Sequence, residues 1–437
     1  MKSKVENYWK TIIEENIIDN KYFYFFFFYI YKTIIDIMYI KKTCMYYGYL
    51  GRCVDFNIYK YLFGLVIFGI ILIKIQNIKE KTIRFMVNCI FFLNGVSNIS
   101  LYGLKNYDSE KFCVVVLFWF ILIMICDWVA NFENTNTTTI KYFDNYKITK
   151  KLLIIGIIIT LYLLIKYNVI IVDSNNLYMG RELFRNIYVP QIDKYLISWN
   201  AFVILPWCFY NFLISKNYKI SILIFLLALI MFGITTVKTY LILYVAILYF
   251  NYFFKGKNFD QIINLMLLSS IIFILLSILF DSKILIGYID RTFWLSGEIN
   301  YYYLEFFSKR ELLYLRESIL KWFENSPYYP WSAVQISHTY MEAAYYHNMT
   351  NGFIGDAYAN FGILGIVIYP VLIGVTFWIL KRSSNNNDDF MSLIIFLLIW
   401  SLINTSFFTW LMTGGYLMFI CILNLHRINI FGGNGNA

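Results

Sequence analysis

Charged residues are scarce in this chain of 437 residues. Only 15% of the residues are charged, whereas 59% are hydrophobic and 21% are aromatic. A soluble globular domain carries about 25% charged residues, so this composition excludes a water-soluble protein. No polar stretch long enough for a soluble domain interrupts the apolar runs. The sequence therefore predicts an all-α polytopic membrane protein in which residues 1–437 form a single integral membrane domain.

Metal-binding residues are also scarce. The sequence has 3 histidines, no Cys/His cluster and no D-x-D pair in the segments expected outside the membrane, so we expect no metal site and no cofactor. Most of the 7 cysteines lie in or beside apolar runs. Cys44 and Cys53 share one loop, where they are able to pair in an oxidising compartment. The net charge of +10 comes largely from short basic loops, so no nucleic-acid partner is expected.

Apolar segments of about 17 to 25 residues predict about twelve transmembrane helices. The first segment has no small-residue cleavage site, which favours a retained span over a signal peptide. The stretch "NGFIGDAYANFGILGIVIYP" places an aspartate and four glycines at the mouth of another span and continues into it without a break. The predicted spans begin near Tyr22, Ile58, Ile83, Lys111, Leu152, Tyr195, Tyr218, Thr239, Ile262, Phe353, Phe390 and Trp410.

Short basic loops set the orientation. Loops such as "KYFDNYKITKK" and "KRSSNNNDD" fall on every second connection, and basic short loops stay in the cytoplasm, so both termini are predicted to be cytoplasmic. The loop "KKTCMYYGYLGRCVDF" fits this pattern poorly, because it is predicted outside and yet carries Lys41, Lys42 and Arg52. The two main outer segments are residues 173–194 and 281–351. Apolar residues at helical spacing in the second predict amphipathic helices lying across the outer face of the bundle.

Several outer residues suggest chemistry. Arg181 and Arg185 are four residues apart, so on a helix they share one face and form a double cation suited to a diphosphate. Arg291 opens the longer outer segment, and Lys238 lies at the outer end of another predicted span. Cations beside aromatic residues suit an anionic lipid-linked sugar better than an ion path. Such cations also commonly snorkel to lipid head groups, which remains an alternative for each of them.

The glycine-rich stretch adds a carboxylate and an amide. Asp356 and Asn360 are four apart at the predicted start of a span, beside a stripe formed by Gly352, Gly355, Ala359 and Gly362. Such a stripe permits close approach of a neighbouring helix or of a ligand. Asp356 also has the alternative role of a helix cap.

The order of three segments resembles the Wzy-type polymerases of bacterial O-antigen and capsular polysaccharides. These segments are "TTVKTYLILYVAIL", "DRTFWLSGEINYYYLEFFS" and "HNMTNGFIGDAYANFGILGIVIYPVLIG". The resemblance covers residues 232–374 best. It implies a GT-C-like membrane bundle in the bacterial cytoplasmic (inner) membrane. It also implies partners: the lipid bilayer, an undecaprenyl-diphosphate-linked oligosaccharide, a flippase and a chain-length regulator.

The same resemblance implies a reaction on the outer face of that membrane. The hydroxyl of a new lipid-linked repeat unit attacks the anomeric carbon of the growing glycan and expels undecaprenyl diphosphate. Arg181, Arg185, Lys238 and Arg291 would bind the diphosphate in place of a metal ion. The implied acceptor base is Asp356, Glu298 or His338, in that order, although His338 also fits an ordinary polar loop residue. The implied sugar-binding residues are Tyr301, Tyr302, Tyr303, Asn351 and Asn360.

Two other functions remain open. An O-antigen ligase has a similar bundle and outer loop but passes the glycan to a lipid A core. A flippase or other transporter would show internal repeats or charges buried in mid-span along a path. The sequence shows no clear repeat, and its ionisable residues concentrate in the outer segments.

Overall fold

The computed structural model describes residues 21–132, 146–168, 184, 187–341, 349, 352–383 and 388–432, and the regular structure in these ranges is helical, without strands. Four helices contain a π-helical stretch between two α-helical parts. These are α1 (Lys21–Met38, Tyr39–Thr43, Cys44–Tyr47), α3 (Lys81–Ile90, Phe91–Gly95, Val96–Leu104), α6 (Gln191–Trp199, Asn200–Ile204, Leu205–Ile214) and α10 (Lys283–Ile289, Asp290–Trp294, Leu295–Phe307).

The remaining helices are continuous. They are α2 (Ile58–Gln76), α4 (Ser109–Ala130), α5 (Tyr146–Tyr167), α7 (Tyr218–Thr235), α8 (Thr239–Phe253), α9 (Phe259–Leu279), α11 (Ser332–Tyr340), α12 (Phe353–Phe361), α13 (Ile363–Ser383), α14 (Asp388–Ile403), α15 (Phe407–Met412) and α16 (Tyr416–Gly432).

Ten candidate spans in the described part of the chain are long and apolar enough to cross a membrane. The prediction of a polytopic helical membrane bundle is therefore confirmed. Thr239–Phe253 and Met391–Ile403 are shorter apolar helices that occupy the other two predicted positions. The predicted span from Phe353 is displaced, because α12 ends at Phe361 and the spanning helix starts at Ile363.

Gly362 separates α12 from α13. Its backbone has φ +59° and ψ −137°, a conformation that residues with a side chain rarely adopt. A Cβ on the nearby Gly365 would lie only 1.9 Å from the carbonyl oxygen of Ala357. The two glycines therefore allow the chain to turn sharply and α13 to start against α12, so the expectation of an unbroken helix through this stretch is wrong.

The chain divides into two compact units. The first contains Met1–Asn136, Lys257–Lys381 and Ile399–Phe408, and the second contains Thr137–Gly256, Arg382–Leu398 and Thr409–Ala437. In the first unit α3 is buried throughout from Phe85 to Leu104, whereas the other candidate spans of that unit are at most half buried. Because α3 carries polar residues that would be costly against lipid, this burial follows from its composition. Those residues are Asn88, Asn94, Ser97, Asn98 and Ser100.

The second half of helix α10 lies inside the first unit. Every residue from Ser296 to Leu304 is buried, on all faces of the helix. Asn94 on α3 donates a hydrogen bond of 3.0 Å to Ser296, and Asn300 accepts one of 3.1 Å from the backbone N–H of Gly355 on α12. The prediction of an amphipathic surface helix is therefore wrong for Ser296–Leu304, because this part of α10 is enclosed by neighbouring helices.

Candidate functional site

A short loop after α1 directs Arg52 into the first unit. The loop begins with a 3-10 turn at Gly48–Leu50 and then reverses at Gly51, whose φ of +73° favours glycine. The backbone N–H of Asp55 donates a hydrogen bond of 3.0 Å to the carbonyl oxygen of Leu104, which fixes the loop to the end of α3. As a result the Arg52 side chain is only 3% exposed, whereas the next residue, Cys53, faces outward.

Arg52 joins two carboxylates of α10. Its Nη1 donates a hydrogen bond to Oδ2 of Asp290, and its Nε lies 3.1 Å from Oε2 of Glu298. The two acids are about two helical turns apart, and Asp290 begins the π-helical stretch of α10. Because all three side chains are buried, the pairing replaces the hydration that each charge would lose.

A second cation and a tyrosine also contact the carboxylate of Glu298. Lys105, directly after α3, places its Nζ 3.8 Å from Oε1 of Glu298 and donates a hydrogen bond of 3.2 Å to the hydroxyl of Tyr302. Tyr39, the first residue of the π-helical stretch in α1, donates a hydrogen bond of 2.5 Å to the same Oε1. These residues, Tyr39, Arg52, Lys105, Asp290, Glu298 and Tyr302, are called the Glu298 cluster below.

The Glu298 cluster holds two cations and two acids in a buried place. Burial lowers the pKa of Arg52 and that of Lys105. Glu298 and Asp290 together more than offset this at Arg52, as Glu298 and Tyr302 do at Lys105, so both pKa values are raised. Burial raises the pKa of Asp290 to about 6, against the opposing effect of Arg52. Asp290 is thus a group in the cluster that can exchange a proton near neutral pH. Its Oδ1 has no hydrogen-bond partner within the described ranges.

The backbone around the Glu298 cluster is irregular. Three π-helical stretches occur in the described part of the first unit, and two of them begin at cluster residues, Tyr39 and Asp290. The third, in α3, lies beside that of α10, since the rings of Phe92 and Phe293 are 5.4 Å apart. Such single-turn bulges interrupt the helical hydrogen-bond pattern and occur frequently at functional sites. Their grouping favours a functional role for the cluster.

The three predicted sugar-binding tyrosines are buried around this cluster. Tyr301 donates a hydrogen bond of 2.8 Å to the carbonyl oxygen of Asn98, and Tyr303 donates one of 2.9 Å to that of Met349. Tyr302 is stacked on Tyr340, with ring centroids 5.0 Å apart. In this structure the tyrosines therefore pack against protein rather than present an open face to a sugar.

Asp356 is buried and bonded within the protein. Its Oδ1 accepts a hydrogen bond of 2.9 Å from the side-chain amide of Asn360, and its Oδ2 accepts one of 2.9 Å from the backbone N–H of Phe407, the first residue of α15. Asn360 in turn accepts a hydrogen bond of 2.8 Å from the backbone N–H of Leu315. This pair connects α12 to two other segments. Asp356 does not cap its own helix, whose N-cap is Gly352 without a side-chain hydrogen bond, and instead accepts a hydrogen bond from the first N–H of α15.

The other predicted residues lie apart. Arg291 is exposed beside Asp290 and acts on it electrostatically, and His338 is exposed on α11. Lys238, in the second unit, is also exposed. Arg181, Arg185 and Asn351 lie outside the described residues.

Sequence reasoning missed Tyr39, Arg52, Lys105 and Asp290 as site residues. One signal was present, because the loop of Arg52 carried positive charge on the side where basic loops are unusual. The structure accounts for the charge of Arg52 through Asp290 and Glu298, and Lys42 of the same loop pairs with Asp281. Lys105 and Tyr39 offered no local pattern, since their partners are distant in sequence.

No family model, no curated protein and no solved structure matches this chain. Within the described ranges, no three His, Cys, Asp or Glu side chains are grouped so that they could hold a metal ion. The arrangement present is instead a set of cations, carboxylates and tyrosine hydroxyls. Such a set is able to bind an anion at the cations and to move a proton at a carboxylate.

Proposed function

We propose that this protein is a GT-C-like glycosyltransferase of the bacterial cytoplasmic (inner) membrane. It polymerises oligosaccharide repeat units carried on undecaprenyl diphosphate into O-antigen or capsular polysaccharide. The hydroxyl of one lipid-linked unit attacks the anomeric carbon of the growing glycan. The new glycosidic bond forms as the bond to the diphosphate breaks, and undecaprenyl diphosphate leaves.

The Glu298 cluster is the observation that carries this proposal. The departing diphosphate gains negative charge, and fixed cations in a water-poor place stabilise such charge strongly. Arg291 is the exposed cation beside the cluster and provides the first contact for a diphosphate. Arg52 and Lys105 are the buried cations of the cluster, and both are held by Glu298.

Asp290 is the proposed acceptor of the proton from the attacking hydroxyl. A general base works best when its pKa lies near the working pH, and burial raises the pKa of Asp290 to about 6. Its Oδ1 has no hydrogen-bond partner in the described part of the chain, so it can accept a proton without breaking a bond. Glu298 is bound by Arg52, Lys105 and Tyr39, and these donors suit it to positioning the cations.

The test uses the purified full-length protein in liposomes. Lipid-linked repeat units are isolated from cells that lack this gene, and product is measured as a ladder of chain lengths on a gel. We expect wild-type protein to form the ladder. Arg291→Ala should lose it at least tenfold, and Arg291→Lys should recover only part, because an ammonium lacks the bidentate fork of a guanidinium.

Lys283→Ala is the matched control, since Lys283 is an exposed cation on the same helix, about two turns before Arg291. It should leave the ladder unchanged. A normal ladder with Arg291→Ala would refute the diphosphate role of Arg291. No ladder with wild-type protein would count against polymerisation. Since no lipid A core is added, a ladder also excludes a ligase as its source.

A transporter is the second candidate, and one observation favours it. Lys32 and Asp36 form a buried ion pair of 2.6 Å inside the span of α1. Tyr61 on α2 donates a hydrogen bond of 2.7 Å to Asp36. Charges buried in mid-span commonly mark a path for a charged substrate. Movement of labelled lipid-linked repeat units across the liposome membrane, without chain extension, would favour this function over polymerisation.

A further inference from the structure

We propose that Cys44 and Cys53 form an intramolecular disulfide that fastens the Arg52 loop to the end of α1. The inference rests on the geometry of this loop and is independent of the polymerase activity. In this structure both residues are free thiols, Cys44 partly exposed and Cys53 exposed. The bond would close a loop that contains the Gly48–Leu50 turn, Gly51 and Arg52.

Gly48 lies beside the thiol of Cys53. Cys44 begins the last α-helical part of α1, and Gly48 follows about one helical turn later. A Cβ on Gly48 would lie 3.8 Å from Sγ of Cys53, and the same Sγ is 3.8 Å from the carbonyl oxygen of Gly48. The absence of a side chain at Gly48 thus leaves space beside the Cys53 thiol.

Contacts of Cys44 lead to the same conclusion. Its thiol interacts with the backbone N–H of Val54, the residue that follows Cys53, and is close enough to the Cys53 thiol for an electrostatic interaction. The loop returns along the end of α1 because Gly51 reverses the chain and Asp55 is bonded to α3. Both thiols therefore lie on one side of this loop, opposite the inward-facing Arg52.

The reaction is a thiol–disulfide exchange. The thiolate of the exposed Cys53 attacks a small disulfide such as oxidised glutathione, forms a mixed disulfide and releases one glutathione thiolate. The thiolate of Cys44 then attacks Sγ of Cys53 and releases the second. The two protein thiols lose two electrons and two protons in total, and the glutathione disulfide gains them as two thiols.

The bond constrains the segment that positions Arg52. A closed loop of this size lowers the conformational freedom of the unfolded chain, and the expected effect is a higher unfolding temperature. Because Arg52 lies inside the closed loop, its approach to Asp290 and Glu298 is restricted to fewer conformations. The other five cysteines are not needed for this effect.

Trypsin provides a sharp test, because it cleaves after Arg52, between the two cysteines. Membranes with the full-length protein are equilibrated with oxidised glutathione, and free thiols are alkylated during denaturation before digestion. We expect peptides 43–52 and 53–60 to be recovered as one disulfide-linked species that separates on reduction. Recovery of only the separate peptides, alkylated or glutathionylated, would overturn the proposal.

Two variants and a control extend the test. Cys44→Ser and Cys53→Ser should abolish the linked species, whereas Cys113→Ser, which changes another exposed cysteine, should leave it intact. Oxidation should raise the unfolding temperature of the wild-type and Cys113→Ser proteins by several degrees, and that of the Cys44→Ser and Cys53→Ser proteins not at all. A linked species with no rise in unfolding temperature would contradict the fastening role.

Discussion

Glu298 is completely buried and contacts two cations and a tyrosine hydroxyl. Its two oxygens are shared among Arg52, Lys105 and Tyr39, which come from three separate segments of the first unit. Burying a charge is costly unless opposite charges and hydrogen-bond donors replace the lost water. Removing the charge of Glu298 leaves two buried cations with Asp290 as the remaining carboxylate of the cluster.

We therefore predict a large loss of stability in Glu298→Gln. Breaking a buried ion pair from one side typically costs about 3–5 kcal/mol. The control is Glu305→Gln on the same helix, whose carboxylate contacts Lys111 and Lys309 but is 25% exposed. Such partly exposed pairs contribute at most about 1 kcal/mol. The measurement is the midpoint of unfolding of the detergent-solubilised protein, and equal shifts in the two variants would contradict this view of Glu298.

At the level of elements, α12 is held by a polar pair at its centre. Asp356 accepts a hydrogen bond from the first backbone N–H of α15, and Asn360 accepts one from the backbone of Leu315. Both carboxylate oxygens of Asp356 are thus occupied by donors. An asparagine at position 356 has one acceptor oxygen and presents an amide N–H₂ to one of those donors. Asp356→Asn alone therefore disturbs packing as well as chemistry.

An exchange of the two residues separates these effects. Asp356→Asn should destabilise the protein by about 1–3 kcal/mol, because one buried donor loses its acceptor. The double variant Asp356→Asn, Asn360→Asp again provides an acceptor for each N–H and should recover most of that loss. We expect chain extension to recover with stability, since the structure supports a structural role. A stable double variant that forms no ladder would instead support a catalytic role for the carboxylate of Asp356.

On the scale of the whole molecule, the Glu298 cluster lies at one end of the first unit. Nη2 of Arg84, near the start of α3, lies 2.6 Å from Oδ2 of Asp260 at the start of α9, so these two starts share one end. The Glu298 cluster includes the loop after α1 and the residue after α3, which belong to the opposite end. The position of the connection between α2 and α3 relative to the membrane therefore decides the side of the cluster.

We predict that the end with the Glu298 cluster faces outward. Residues 173–194 and 281–351 should be outside, and residues 141–151 and 381–389 inside. Single cysteines introduced at Glu324 and at Lys79, both exposed, test this with an impermeant thiol reagent on intact cells, followed by peptide mass measurement. Position 324 should be modified in intact cells, and position 79 only after lysis. Labelling of position 79 or of the 381–389 loop in intact cells would reverse the orientation.

The sequence alone determined the membrane character and the helical class of this protein. Helices depend on short-range backbone hydrogen bonds, and long apolar runs must satisfy those bonds internally in lipid. Local spacing also predicted the contact between Asp356 and Asn360, because residues four apart share a helix face. The sequence also identified Glu298 and the nearby Arg291 as candidate site residues.

Tertiary structure alone decided which charges meet. The partners of Glu298 are Arg52, Lys105 and Tyr39, and all three are far from Glu298 along the chain. Such pairs depend on how α1, α3 and α10 pack, which no local pattern encodes. The break at Gly362 is also a tertiary matter, because α13 must start directly against Ala357. Burial of the three tyrosines has the same cause, because the part of α10 that carries them is enclosed by neighbouring helices.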